Sequence, residues 1–153
     1  MKVDIIGHDL GRSTALSLLW RLEILRVEDI YAKDIMERGP WVCQQLRELR
    51  IYFGFGEMEQ DLHQLVLKRL STLVRLERLI IWRPCSEHKH HAGLEFRLGY
   101  GLEHLASLRQ LTYFYRNAEK SAVGMEELEW MMDNWKNLKS IRGQLNWDRR
   151  VEA

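Results

Sequence analysis

The chain of 153 residues is 46% hydrophobic and 29% charged, which suits one domain with a sizeable core. Its 23 Lys and Arg stand against 22 Asp and Glu, so a net charge of +1 gives no global reason to expect nucleic acid, an anionic membrane or an acidic substrate. Two cysteines, Cys43 and Cys85, are too few for a disulfide framework and fit no metal or redox spacing, so a reducing compartment, cytosol or nucleus, is the expectation.

Met1 to Gly11 has neither the basic start nor the long apolar stretch of a signal peptide, and no apolar run approaches the length of a membrane span. Val3-Asp4-Ile5-Ile6-Gly7 reads as a strand directly after the initiating methionine, like a repeat cut through its middle. That start leads us to expect a fragment of a longer protein. After a turn at Gly7 to Ser13, Thr14 to Trp20 carries Leu16, Leu19 and Trp20 at helical spacing. Arg21 to Glu28 then reads as a strand with Leu22, Leu25 and Val27 inward. Asp29 to Gly39 is more charged and ends at Gly39-Pro40, a strong local break. Trp41 to Leu46 leads into a strand over Leu46 to Phe53, which Gly54-Phe55-Gly56 ends.

Met58 to Leu73 is the clearest helix, with Leu62, Leu65, Val66, Leu70 and Leu73 on one face and Gln64, Lys68 and Arg69 on the other. Strand Leu76 to Trp82 stops at Arg83-Pro84, and Cys85 to Gly93 is a polar loop. Leu94 to Leu98 alternates apolar and polar, as a short extra strand or edge would. Gly101 to Ser107 reads as a short helix and Gln110 to Tyr115 as a strand. Met125 to Trp135 is a second good helix, opened by Glu126 and Glu127 where negative charge is favoured, and presenting Met125, Leu128, Met131, Met132 and Trp135. Leu138 to Leu145 closes the series.

These elements are copies of one unit. Leu70, Leu73, Leu76, Leu79, Ile81 returns as Leu102, Leu105, Leu108, Leu111, Tyr113, and in shorter form around Leu25, Leu49 and Ile141. Taking Leu25, Leu49, Leu79, Leu111 and Ile141 as equivalent, the spacings are 24, 30, 32 and 30 residues. That period and spelling indicate an α/β leucine-rich-repeat solenoid of about five repeats, curved, with parallel strands on the concave face and helices on the convex one. One buried leucine contributes roughly 1.5 to 3 kcal/mol, so a unit with four or five of them is stable only when its neighbours cover it.

The series Leu46-x-x-Leu49-x-Ile51, Leu70-x-x-Leu73-x-x-Leu76-x-x-Leu79 and Gly101-Leu102-x-x-Leu105-x-x-Leu108-x-x-Leu111, followed by Glu127-Leu128-Glu129-Trp130-Met131 and Trp135-Lys136-Asn137-Leu138, resembles the C-terminal repeat region of fungal F-box-like leucine-rich-repeat proteins. The resemblance covers most of the chain. It implies a substrate-recognition role in a cullin-type ubiquitin ligase, with an N-terminal F-box docking a Skp-type adaptor. This sequence contains no F-box, so the adaptor would be reached only through one upstream of Met1. The asparagine often found eight residues after the first leucine is matched only by Asn146; Ile30, Gly54, Pro84 and Arg116 occupy the other places.

If Leu25, Leu49, Leu79, Leu111 and Ile141 point inward, the following residues Arg26, Arg50, Ile80, Thr112 and Arg142 point outward, and so does a second column of Glu28, Tyr52, Trp82, Phe114 and Gln144. Arg78 and Glu48 fall in the column before. The concave face is thus expected to show Tyr52, Trp82 and Phe114 among Arg26, Arg50, Arg78 and Arg142, and Tyr, Trp and Arg are the residues enriched at binding hot spots. This is the expected partner-binding surface. The competing reading is that the aromatics only cover strand backbone or pack beneath a loop or another domain.

Cys85, His88, His90 and His91 are zinc-type ligands, but their spacing matches no standard finger, so a solvated polar loop is the reading and no metal is expected. Neither Gly-x-Ser-x-Gly nor a patterned Cys and His pair is present, and the expectation is a noncatalytic protein-interaction module without a cofactor. Two alternatives stay open: a scaffold carrying a metal-binding histidine loop, and a degenerate fragment without independent function.

Overall fold

A computed structural model describes residues 2–5, 23–31, 43–54, 60–82, 93–117 and 123–143. Six strands, β1 (Lys2–Ile5), β2 (Ile24–Tyr31), β3 (Glu48–Gly54), β4 (Arg78–Trp82), β5 (Tyr113–Arg116) and β6 (Ser140–Gly143), form one sheet in chain order. Each pairs in parallel with the next. A parallel pair needs a crossover rather than a hairpin. Helix α1 (Gln60–Leu70) supplies one between β3 and β4, a 3-10 helix (Leu102–Ser107) one between β4 and β5, and α2 (Met125–Asn134) one between β5 and β6. The result is an α/β repeat fold that advances by one strand per unit.

The leucines three apart are not one helix. Helix α1 stops at Leu70, where the hydroxyls of Ser71 and Thr72 donate to the carbonyls of Lys68 and Arg69 at 2.7 and 2.8 Å, taking two of the acceptors a helix end leaves open. Two tight turns follow, the Leu73 N–H donating to Leu70 O and the Leu76 N–H to Leu73 O at 3.0 and 2.9 Å. The same step recurs from Leu105 to Leu108 to Leu111, from Trp135 to Leu138 and from Cys43 to Leu46. A turn closed over three residues returns every third side chain to one direction, which is how Leu46, Leu73, Leu76, Leu108 and Leu111 all become buried. Cys43 opens its turn from inside this core, and burial pushes its thiol up, away from the reactive thiolate.

The register of the sheet is marked a second time by the backbone. The carbonyls of Glu23, Arg47, Glu77 and Thr112 each accept two N–H groups from the following repeat, those of residues 47 and 48, 77 and 78, 112 and 113, and 139 and 140. Glu23, Arg47, Glu77, Thr112 and Lys139 are therefore equivalent. It follows that Leu25, Leu49, Leu79, Phe114 and Ile141 form one row across the sheet. This corrects the sequence alignment, which placed Leu111 opposite Leu79 and spaced the units 32 and 30 residues apart there. The observed spacings are 35 and 27. Leu102, Leu105, Leu108 and Leu111 repeat every third residue without a break, so the pattern alone does not mark its last member. Phe114 is that member: it is fully buried, with ring centroids 5.0 Å from Phe96 and 5.5 Å from Trp135.

Other faces shift more modestly. The buried stripe of α1 is His63, Val66, Leu67 and Leu70, at helical spacing, while Leu62 and Leu65 are half-buried. His63 is admitted because its Nδ1 accepts the N–H of Glu95 at 3.1 Å. On α2, Leu128 and Met131 are buried, as is Trp135 just beyond it, but Met125 and Met132 are exposed. The segment 94–98 alternates as expected, with Leu94 and Phe96 buried, yet among the described residues it pairs with no strand.

Trp135 Nε1 donates to Leu105 O at 2.9 Å inside the core. Trp135→Phe keeps most of the apolar volume and removes only this bond, since Leu105 O still accepts the Leu108 N–H, so a loss of about 0.5–1.5 kcal/mol is expected by urea denaturation.

Candidate functional site

Strand residues alternate in direction, so those between the leucine rows make the other face of the sheet. One row there runs Ile24, Glu48, Arg78, Tyr113, Ser140 and the next Arg26, Arg50, Ile80, Tyr115, Arg142, with Tyr52 in register beside Trp82 beyond them. Arg26, Arg50, Arg78, Arg142 and Trp82 thus share one face. Tyr52 holds its expected register position, but its side chain, like that of Glu28, lies outside the described residues. Gln144 and the Cys85, His88, His90 and His91 loop also lie outside them.

Phe114 does not belong to this face; the three-residue correction in register sends it inward and brings out Tyr113 and Tyr115 instead. Thr112, expected outward, sits before the strand and donates its hydroxyl to Glu77 O at 3.0 Å. The signal for the two tyrosines was present in Tyr113-Phe114-Tyr115, where one apolar ring lies between two rings with hydroxyls.

Trp82 and Tyr115 meet with ring centroids 4.7 Å apart at 45°. Both are half-buried, and Ile80, on the strand of Trp82 and in register with Tyr115, is only 5% exposed. Beside them, Glu48 Oε1 takes Arg50 Nε at 2.5 Å and Glu48 Oε2 takes Arg78 Nε at 3.2 Å. The Arg78 guanidinium also lies 4.6 Å from the centroid of Tyr113. A run of Arg50, Glu48, Arg78 and Tyr113 therefore crosses three strands. Such partly exposed pairs are worth about 0–1 kcal/mol each, so their main effect is to hold the guanidinium groups in place. At the strand entrance Arg47 grips Glu77 through Nε and Nη2 at 2.8 and 3.0 Å, tying consecutive repeats together outside the aromatic group.

A buried arginine lies on the core side of the sheet. Arg116 stands in the row of Ile51 and Ile81, 4% exposed, and its Nε donates to Leu94 O at 3.2 Å. Its guanidinium is 5.7 Å from the ring centroid of Phe96. Burial pushes its pKa down to about 10, opposed by Glu95 and assisted by Arg97, so it stays charged at neutral pH. Its work is structural, fastening the segment 94–98 to β5. Arg116→Ala strands Leu94 O and empties the volume of the side-chain stem, and should cost about 2–4 kcal/mol. Arg116→Met leaves Leu94 O equally without its donor but keeps that volume and removes the buried charge, so its measured loss in denaturation should be smaller than that of Arg116→Ala.

No three His, Cys, Asp or Glu side chains converge on a metal-sized site among the described residues, and no helix there is long and apolar enough to cross a membrane. No protein-family model and no curated protein matches the chain. Among solved structures it is similar to internalin C2 from Listeria monocytogenes, at 17% identity over 92% of this chain with a TM-score of 0.49. The chain spans 50% of the length of that protein, and a likeness this slight assigns neither family nor activity.

Proposed function

We propose that the chain is a noncatalytic protein-interaction module, a curved leucine-rich-repeat solenoid whose sheet lines the concave face and carries the partner site. The observation that supports it best is the half-exposed Trp82 and Tyr115 pair set among fixed arginines on one sheet face. Aromatic rings with arginines are the side chains that dominate binding energy when a partner covers them. The contact set is Trp82, Tyr113 and Tyr115 with Arg26, Arg50, Arg78 and Arg142, and Tyr52 by its position beside Trp82. The resemblance of the leucine series extends the proposal to substrate recognition for a ubiquitin ligase in cytosol or nucleus, joined to a Skp-type adaptor through an F-box outside these 153 residues.

The test is affinity capture from cell extract with the wild-type chain and a Trp82→Ala, Tyr115→Ala double variant whose fold is checked by circular dichroism. The double variant should fold and lose the captured protein, each removed anchor weakening binding by about 2 kcal/mol. Equal capture by both would refute the site.

A further inference from the structure

We infer that the partner segment is acidic: an extended stretch of protein whose carboxylates engage the arginines of the sheet face and whose single apolar or aromatic side chain rests on Trp82 and Tyr115. The inference builds on the reading of this face as an interaction surface and adds the chemistry of what it takes.

The charge distribution argues for it. The whole chain carries a net charge of +1, yet the outward positions of β3 to β6 among the described residues hold Arg50, Arg78 and Arg142 against Glu48. Both oxygens of Glu48 are already engaged by Arg50 and Arg78. The face is therefore a local excess of guanidinium groups on an almost neutral molecule, and guanidinium forks match carboxylates in geometry as well as charge.

Spacing supports an extended occupant. Arg50 and Arg142 lie in one row on β3 and β6, with Ile80 and Tyr115 between them. Three inter-strand steps span about 14 Å, the reach of roughly four extended residues. Two acidic residues separated by that length can meet the two arginines while a side chain between them reaches Tyr115 and Trp82. A nucleic-acid backbone fits less well, because binding of that kind commonly draws on about 6–10 phosphate contacts and this face offers four arginines, of which Arg50 and Arg78 are shared with Glu48 and Arg26 is engaged as well.

The experiment pans the full chain against a displayed library of random short peptides, discards binders retained by Trp82→Ala, and titrates the rest by fluorescence anisotropy. Arg142 is exposed, so Arg142→Glu reverses charge without touching the core. The expected result is enrichment of Asp and Glu around one apolar residue, affinity that falls as salt is raised, and about tenfold weaker binding to Arg142→Glu. Trp82-dependent peptides of neutral or basic composition would overturn the acidic partner while leaving the surface standing. Absence of any Trp82-dependent peptide would overturn both. A thymidine oligonucleotide that binds more tightly than every peptide and is released by Arg142→Glu would overturn the inference in favour of nucleic acid.

Discussion

Phe114→Ala is expected to lower the unfolding free energy by about 3–5 kcal/mol, whereas Tyr115→Ala, one residue along the same strand, should cost no more than about 1 kcal/mol. The difference follows from which side of the sheet each ring occupies. Phe114 is fully buried in the row of Leu49 and Leu79 and meets Phe96 and Trp135 edge-on. Truncating it removes both aromatic contacts and opens a cavity beside Trp135, whose ring is held by its bond to Leu105 O and cannot easily turn to fill the space. Tyr115 loses only its tilted contact with Trp82 on a half-exposed face. Urea denaturation of the two variants separates the observed register from the one in which Leu111 faces Leu79. In that alternative Phe114 would be the tolerant position and Tyr115 the sensitive one.

Gly143→Ala should be nearly as damaging, at about 3 kcal/mol. Gly143 has φ of 124°, a conformation that side-chain-bearing residues rarely adopt, and pairs in register with Arg116. A Cβ there would sit 1.8 Å from Arg116 O, on backbone that cannot swing aside like a flexible side chain. The last strand would have to move off β5 to admit one methyl group. Thermal unfolding is expected to show the loss, together with faster amide exchange confined first to Ser140–Gly143. A wild-type melting curve for this variant would contradict the placement of β6.

The architecture was legible because the leucine period is a direct consequence of the turns that build it. Each unit needs apolar side chains every third residue while the chain descends through three-residue turns, then every second residue once it extends, and both spacings are written in Leu73, Leu76, Leu79 and Ile81. Register was legible only where a break in the pattern fixed it. From β2 to β4 the alignment of Leu25, Leu49 and Leu79 was correct. It failed at β5 because Leu111 and Phe114 are both apolar and both follow in step, and the backbone carbonyl of Thr112 that distinguishes them leaves no mark on residue type.

The candidate face inherited that failure. The arginines and Trp82 were placed by alternation within their own strands, whereas the third aromatic depended on the slipped register. The buried polar groups were the least legible of all. Nothing in the local sequence announces that His63 accepts a backbone N–H across 32 residues, or that Arg116 occupies a core row because Leu94 O reaches its guanidinium. Such residues are tolerated inside by partners that only the folded chain supplies.

The most direct test of the account is oxidative footprinting of the chain alone and with its captured partner. Trp82, Tyr113 and Tyr115 should be labelled in the free chain and protected in the complex, Phe114 should stay unlabelled in both, and the exposed Met125 and Met132 on α2 should label equally in both. Protection of Met125 and Met132 with Trp82 and Tyr115 unchanged would place the partner on the helices and contradict the sheet face as the site.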